Sequence, residues 1–562
     1  MHALNLLRAA GGTFTRRRYR RAAHSFLDHT SRCREVQQAT LQRILQLNAD
    51  SDFSREWQLD GSCTIEDFQA RFPVSDYERF RPWIDRVKNG ETTALLGAAN
   101  RLLMFTLSSG TTADSKFIPI TEPFLKDYRQ GWQNWGILTY DDFPRLKYQN
   151  IVQLTSNFDK FRTPGGTPCG NISGLVTSMQ SPAVKLLYTL PAAVSQIEDP
   201  HLKYFTALRL AIADREVGMI TTANPSTLLH LAQFADQHRE SLIRDIADGR
   251  LTGAAHMEPA ILKTLQSKLK RKNRARAREL ERIVERTGHL YPRDFWPGLS
   301  LLAVWMGGSA GAYLSQLAPY YGTPPVRDHG LSASEGRMTI PLESGSSTGV
   351  LDITSHFFEF VPEDEDPLTT ANILTADQLE VGHNYFILLT TPSGLYRYHI
   401  CDVVRCTGFH SQTPLLEFLH KGAHISNLTG EKITESQVVA AVRGAVEFTS
   451  LEIGQYTLIP QWGEPPRYQL LFEASALPST DQLPILLESL DQRLQETNCE
   501  YAEKRQSGRL AAPMSCELTP GTWQRFAAER QQKLGGSIEQ YKHPCLIPEL
   551  DYAQQILRRF SD

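Results

Sequence analysis

Between residues 338 and 408 the chain reads almost entirely as β-strand. Residues 349–353, 357–361, 385–391 and 395–398 are runs rich in β-branched and aromatic side chains. Pro392-Ser393-Gly394 separates the last two as a turn. Helical periodicity dominates elsewhere, over 1–100, 121–137 and most of 183–290, with one strand expected at 216–222. Two further buried strands are expected at 101–107 and 299–306; Gly307-Gly308 breaks the second, and a helix follows at 312–318. After Gly408 strands and helices alternate, with helices near 435–446 and 480–497 and strands near 454–460 and 467–473. This mixture excludes all-α and all-β folds and predicts an α/β or α+β protein. A chain of 562 residues is too long for one core. Gly408, Ser411 and Pro414 punctuate the change of style, so a boundary is expected at 408–414. The expected domains are 1–408 and 409–562.

Bulk properties narrow the function classes. A hydrophobic fraction of 41%, a charged fraction of 22% and a net charge of -3 do not suit a protein that coats nucleic acid or an anionic membrane. The basic run Lys268-Leu269-Lys270-Arg271-Lys272 through Arg278 returns to mixed charge at Glu279, as a solvated helix face does. The eight cysteines include no C-x-x-C pair, which points to free thiols in a reducing, cytoplasmic setting. No run of about 18 apolar residues occurs, so no spanning helix is expected. Residues 1–27 hold six arginines and no acid. A basic surface helix accounts for them, with an organellar transit peptide as the alternative. No nucleic-acid or membrane partner is expected, and a monomer is favoured.

The sharpest chemical feature lies where the strand at 101–107 opens into Ser108-Ser109-Gly110-Thr111-Thr112, with Lys116 at the end of the loop. Hydroxyls and the backbone N–H groups of a glycine-containing turn donate to a polyphosphate. An ordinary polar loop is the alternative. The usual nucleotide loop, with Gly-Lys-Ser/Thr, is absent from this segment. Ser332, Ser334 and Glu335 place hydroxyls beside a carboxylate that suits magnesium, although Ser-x-x-Glu is also a helix capping box. Asp402 ends a β-rich run and could accept both hydroxyls of a ribose, or pair with Arg397 or Arg405.

In this order the segments resemble the adenylate-forming superfamily, and within it the auxin-responsive promoter (Gretchen Hagen three) family of acyl acid amido synthetases. The likeness extends through Phe117-Ile118-Pro119-Ile120-Thr121, Phe295-Trp296-Pro297, Trp305-Met306-Gly307-Gly308-Ser309, Phe357-Phe358-Glu359-Phe360-Val361-Pro362, Gly430-Glu431-Lys432-Ile433-Thr434-Glu435 and Gln540-Tyr541-Lys542-His543-Pro544. It covers about residues 100–545. Ala113, Ser115 and Cys401 depart from the family pattern, Cys401 where a glycine usually precedes the ribose-binding acid.

The resemblance implies a large N-terminal adenylate-forming domain and a smaller, mobile C-terminal α+β domain. It implies adenylation of a carboxylic acid by ATP with magnesium, then acyl transfer to an amine, an amino acid in the first instance. By the same resemblance Ser108, Ser109, Gly110, Thr111 and Thr112 grip phosphates. Gly307, Gly308 and Ser309 flank the adenosine and acyl pocket. Ser334 and Glu335 act at the α-phosphate and the metal, Asp402 takes the ribose, and Lys542 reaches in from the C-terminal domain, with Lys432 in a second domain orientation. Coenzyme A as acceptor is the alternative within the superfamily. A serine hydrolase using Gly307-Gly308-Ser309-Ala310-Gly311 is the alternative outside it, and Gly345-Ser346-Ser347-Thr348-Gly349 matches the same motif.

Overall fold

The computed structural model describes residues 11–108, 116–307, 314–369, 372–422, 425–426, 428–429, 431, 433–451, 453–473, 482–534, 543–550 and 552–560. The expected mixture of helix and sheet is present. Helix α1 (Thr13–His29) starts the described chain. Helix α2 (Tyr77–Lys88) is capped by Asp76, whose side chain accepts from the backbone N–H groups of Glu78 and Arg79. Strands β1 (Leu102–Ser108) and β2 (Lys116–Thr121) form an antiparallel pair and lead into the long helix α3 (Glu122–Asp142).

Strand β3 (Asn150–Gln153) opens a second sheet, while β4 (Phe161–Arg162) and β5 (Pro168–Gly170) complete the first in the order β2-β1-β5-β4. Strands β6 (Val217–Thr222), β7 (Leu301–Val304) and β8 (Val326–Arg327) extend the second sheet, wholly parallel in the order β3-β6-β7-β8. The strands are uninterruptedly buried at β6 and β7, as parallel strands covered on both faces must be. Helices α4 (Pro259–Leu269) and α5 (Arg274–Thr287) lie in the long β6–β7 crossover and pack into the same core.

A short hairpin follows, β9 (Ser332–Ala333) with β10 (Gly336–Arg337). The β-rich block then forms a seven-stranded antiparallel sheet: β11 (Thr339–Ile340), β12 (Gly349–Leu351), β13 (Phe357–Pro362), β14 (Leu374–Thr375), β15 (Asn384–Thr390), β16 (Tyr398–His410) and β17 (Thr413–Lys421), ordered β11-β12-β17-β16-β15-β13-β14. The turn at 392–394 needs Gly394, whose φ is +84° and whose added Cβ would lie 2.8 Å from Leu95 Cγ.

Residues 408–414, expected to punctuate a boundary, lie within one sheet. Gly408 pairs with Leu415 and His410 with Thr413, so these residues close a tight hairpin, with Ser411 at φ +56°. The chain leaves this sheet only after Lys421. Beyond it, β18 (Ile425–Ser426) pairs with β19 (Ile433–Thr434), and helices α6 (Glu435–Thr449) and α7 (Leu483–Thr497) pack on the sheet of β20 (Tyr456–Gln461), β21 (Arg467–Glu473) and β22 (Met514–Leu518). This segment has its own cores, centred on residues such as Val438, Leu458, Leu470 and Leu490, and on Trp523 and Ile556. The helix expected at 312–318 begins outside the described residues; helical turns occupy Ser315–Leu317 and Ala318–Tyr321. Among the described residues no helix is long and apolar enough to cross a membrane.

Candidate functional site

Three pieces of chain meet at one end of the sheets. The first is the β1–β2 connection. Ser108 and Lys116 are cross-strand partners, so the Ser/Thr/Gly segment springs from the open end of a hairpin. Ser109, Gly110, Thr111 and Thr112 lie outside the described residues, as do Ala113 and Ser115. Lys116 lies over the Tyr77 ring with Nζ 5.7 Å from its centroid, and Phe117 N donates to Tyr77 Oη at 2.9 Å. Helix α2 thereby fixes the base of the loop.

The second piece is the β9–β10 hairpin. Ala333 pairs with Gly336, so Ser334 and Glu335 form its two-residue turn. The capping-box alternative for this segment is therefore set aside: no helix begins here. Glu335 and Ser334 are buried, and Ser332 is half-buried. Gly336 lets the hairpin pack closely on His356, since a Cβ there would lie 2.7 Å from His356 Nε2.

The third piece is the adjoining part of β16 and β17. Between paired residues Phe386–Val403 and Leu388–His399, β15 has one residue and β16 has three. The bulge carries Cys401, at φ +62°, and Asp402. Asp402 is fully buried and faces Lys421 across the β16–β17 pair. Lys421 Nζ lies 2.6 Å from Asp402 Oδ1 and donates to Ile400 O at 3.0 Å. Neither arginine expected for Asp402 pairs with it: Arg397 binds Glu359 at 2.9 Å, and Arg405 Nε donates to Asn384 at 3.0 Å.

Electrostatics join the pieces. Burial pushes the Glu335 carboxyl above the usual range, partly offset by Lys421 and Lys116, while Asp402 adds to the rise. Burial alone would lower the Lys421 ammonium, but Asp402 and Glu335 outweigh it and hold Lys421 above the ordinary lysine value. The Cys401 thiol is raised by burial, and Lys421, Lys116, Asp402 and Glu335 all act on it. The Lys116 at the loop base, the turn carboxylate and the buried Asp402–Lys421 pair therefore share one site. Sequence reasoning did not find Lys421. Its signal is register: it ends β17 directly opposite Asp402.

The parallel sheet supplies a neighbouring wall. The carboxyl ends of the parallel strands β7 and β8 lie side by side. Asp328, just past β8, accepts from Met306 N and from Gly330 N, each at 2.7 Å. It ties the segment entering Gly307 to the segment entering Ser332. Gly307 is buried against Trp305, and a Cβ there would lie 2.7 Å from the indole. Gly308, Ser309, Lys432 and Lys542 lie outside the described residues. The second Gly-x-Ser-x-Gly match leads into β12, not a helix, and Ser347 donates to Glu417 at 2.8 Å, so it is no nucleophile elbow. The basic run near 270 is partly internal: Arg276 is buried on Ile212 O and Phe295 O, and Lys268 donates to Thr189 O.

The family comparison matches the N-terminal domain of the GH3 family over residues 22–326, its central domain over 349–421 and its C-terminal domain over 436–551. The chain belongs to the GH3 family. The central match ends where β17 ends, at Lys421, and not at 408. A jasmonoyl–L-amino acid synthetase of Nicotiana attenuata is 24% identical over 553 residues, spanning 95% of this chain and 94% of that protein. An indole-3-acetic acid-amido synthetase of Arabidopsis thaliana is 24% identical over 542 residues, spanning 91% of this chain and 89% of its own length. The solved structure of the acyl acid amido synthetase GH3.15 superposes with a TM-score of 0.83 at 21% identity, covering 96% of each chain. That likeness establishes the large and small parts of the GH3 fold in this molecule.

Proposed function

We propose that this GH3 protein is an acyl acid amido synthetase: it adenylates a small carboxylic acid with ATP and transfers the acyl group to an amino acid. The observation that carries the reading is the single site shared by Lys116, Glu335, Asp402 and Lys421 at the mouth of the hydroxyl-rich loop. A carboxylate is a poor electrophile. Its attack on the α-phosphorus of ATP forms an acyl-adenylate and releases pyrophosphate; an amine then attacks the carbonyl and AMP leaves. The chain's task is alignment and charge stabilisation. Ser108 through Thr112 bind phosphate oxygens, Asp402 takes the ribose, and Lys542 meets the α-phosphate from the C-terminal part.

Magnesium fits the residues present only as a shared ligand. Among the described residues no cluster of three or more metal-binding side chains occurs, and Glu335 offers one carboxylate. That suits an ion held chiefly by phosphate oxygens. Bound there, it would neutralise phosphate charge. Free thiols at the described cysteines favour a reducing, cytoplasmic setting.

The test is pyrophosphate release across aromatic, indole and fatty acids with a mixed amino-acid pool, followed by product mass. Acid-dependent release and an amide product are expected, and Lys542→Ala should lose most of the rate. Release coupled to a thioester when coenzyme A replaces the amino acids would overturn the acceptor. No release with any acid would overturn the activity.

A further inference from the structure

Helix α1 is fixed to the body by one face. Ala23 and Phe26 are buried, and Phe26 and Leu27 pack with Trp135 and Leu146. Arg20 Nε donates to Asp141 Oδ2 at 2.8 Å. The opposite face presents Phe14, Arg17, Arg18, Arg21 and His24 at helical spacing, all exposed. Arg17, Arg18 and Arg21 have no carboxylate partner among the described residues. The two acids ending α3 are already engaged, Asp141 by Arg20 and Asp142 by Arg327. Exposed Arg145 follows them, next to the Leu146 that packs on α1. In a chain of net charge -3 this is a local concentration of unneutralised positive charge.

Phe14 decides what such a surface fits. It is 82% exposed, the most exposed large apolar side chain among the described residues, and it shares the face with the arginines. Single-stranded nucleic acid would want aromatic rings interleaved along the cationic row, and residues 15–24 place only Tyr19 there, on the half-buried side. A cationic row with one largely exposed apolar side chain beside it suits an anionic lipid surface, which offers headgroup charge to the arginines and an apolar boundary to Phe14.

We propose that this face of α1 docks reversibly on an anionic lipid surface, with Arg17, Arg18 and Arg21 on headgroups and Phe14 at the acyl boundary. It adds a peripheral partner to a chain whose sequence suggests none. The site is far from needing the proposed chemistry, so the two readings are tested separately.

The experiment is co-sedimentation of the full chain with vesicles of phosphatidylcholine alone and with phosphatidylserine added. Binding to the anionic vesicles only is expected, lost on raising salt from about 0.1 M to about 1 M. Each arginine at an anionic surface is worth about fivefold in partitioning, so Arg17→Gln/Arg18→Gln/Arg21→Gln should weaken binding roughly a hundredfold. Phe14→Ser should weaken it roughly tenfold with the charge intact. All four side chains are exposed, and unchanged melting of the variants will show that folding is not the cause. No binding by the parent protein, equal binding to neutral vesicles, or full binding by the triple variant would overturn the proposal. Binding to an oligouridylate with the same variant sensitivity, and none to vesicles, would replace lipid with nucleic acid as the occupant.

Discussion

Cys401 holds a backbone conformation, φ +62°, that an L side chain enters at a cost. Its carbonyl accepts from Gly422 N at 2.7 Å, and the bulge that it occupies turns Asp402 inward to meet Lys421. A glycine would take this conformation freely. The cost of a side chain at this position therefore lies in the backbone. Two substitutions measure it. Cys401→Gly should unfold in urea at a concentration equal to or above that of the parent, because relief of the left-handed strain offsets the extra chain entropy of glycine. Cys401→Val should be destabilised by roughly 2 kcal/mol, since a β-branched side chain is least compatible with positive φ. Equal stabilities of the valine variant and the parent would show that the bulge rearranges without penalty. Asp402 was legible as an acid in a β-rich run, but it lies inside β16 at the bulge and does not end the strand. Its partner was not legible, because Lys421 becomes its neighbour only through strand register.

At the scale of elements, the β7–β8 ends and the β9–β10 hairpin are held by Asp328, an acid that no motif in the sequence marks. Burial lifts the carboxyl to about 7, against the backbone N–H groups of Gly330, Met306 and His329 and against Arg337, all of which favour its charge. The groups around it are His329, which burial lowers to about 4, and Arg337, which burial lowers to about 10. Between about pH 4 and pH 7 the unfolded chain has lost this proton while the folded chain keeps it. Stability contributed by the residue therefore falls as pH rises across that window, by at most ~4 kcal/mol, and is level above it. Asp328→Asn cannot ionise, so the stability of the variant relative to the parent should climb from pH 4 to 7 and then flatten. His329 and Arg337 are common to both proteins and cancel in the difference. Urea unfolding of the pair at a series of pH values gives the answer, and parallel profiles would mean that Asp328 is ionised throughout. Other elements were plainer. The strand at 216–222, the helix from 121 and the alternating segments after 430 were legible from periodicity, because each buries its pattern locally. Residues 332–335 were ambiguous in sequence: Ser332 and Glu335 are spaced for a helix cap, but pairing of Ala333 with Gly336 puts Ser332 in a strand and Ser334-Glu335 in a two-residue turn.

Across the whole molecule, the placement of β17 decides where the chain can be divided. Gly, Ser and Pro at 408–414 read as a hinge because turn residues look alike whether they join domains or strands. In the structure they connect β16 to β17, and β17 lies inside the sheet, between β12 and β16. A fragment ending at 408 would lose an interior strand, its ladder to both neighbours, and the buried Leu416 and Phe418. It would also strip Lys421 from Asp402, leaving a buried carboxylate without its ion pair. A fragment ending at 422 keeps the sheet closed, and residues 423–562 retain separate cores around Leu458 and Leu490 and around Trp523 and Ile556. We therefore expect 1–422 and 423–562, produced separately, each to unfold cooperatively, and 1–408 to be insoluble or to lack a cooperative transition. Cooperative unfolding of 1–408 with the melting temperature of 1–422 would return the boundary to the hairpin. If the longer pair behaves as expected, the segment after Lys421 is the unit that can carry Lys542 to the nucleotide, and the ion pair at Asp402 stands at the last strand residue before that unit begins.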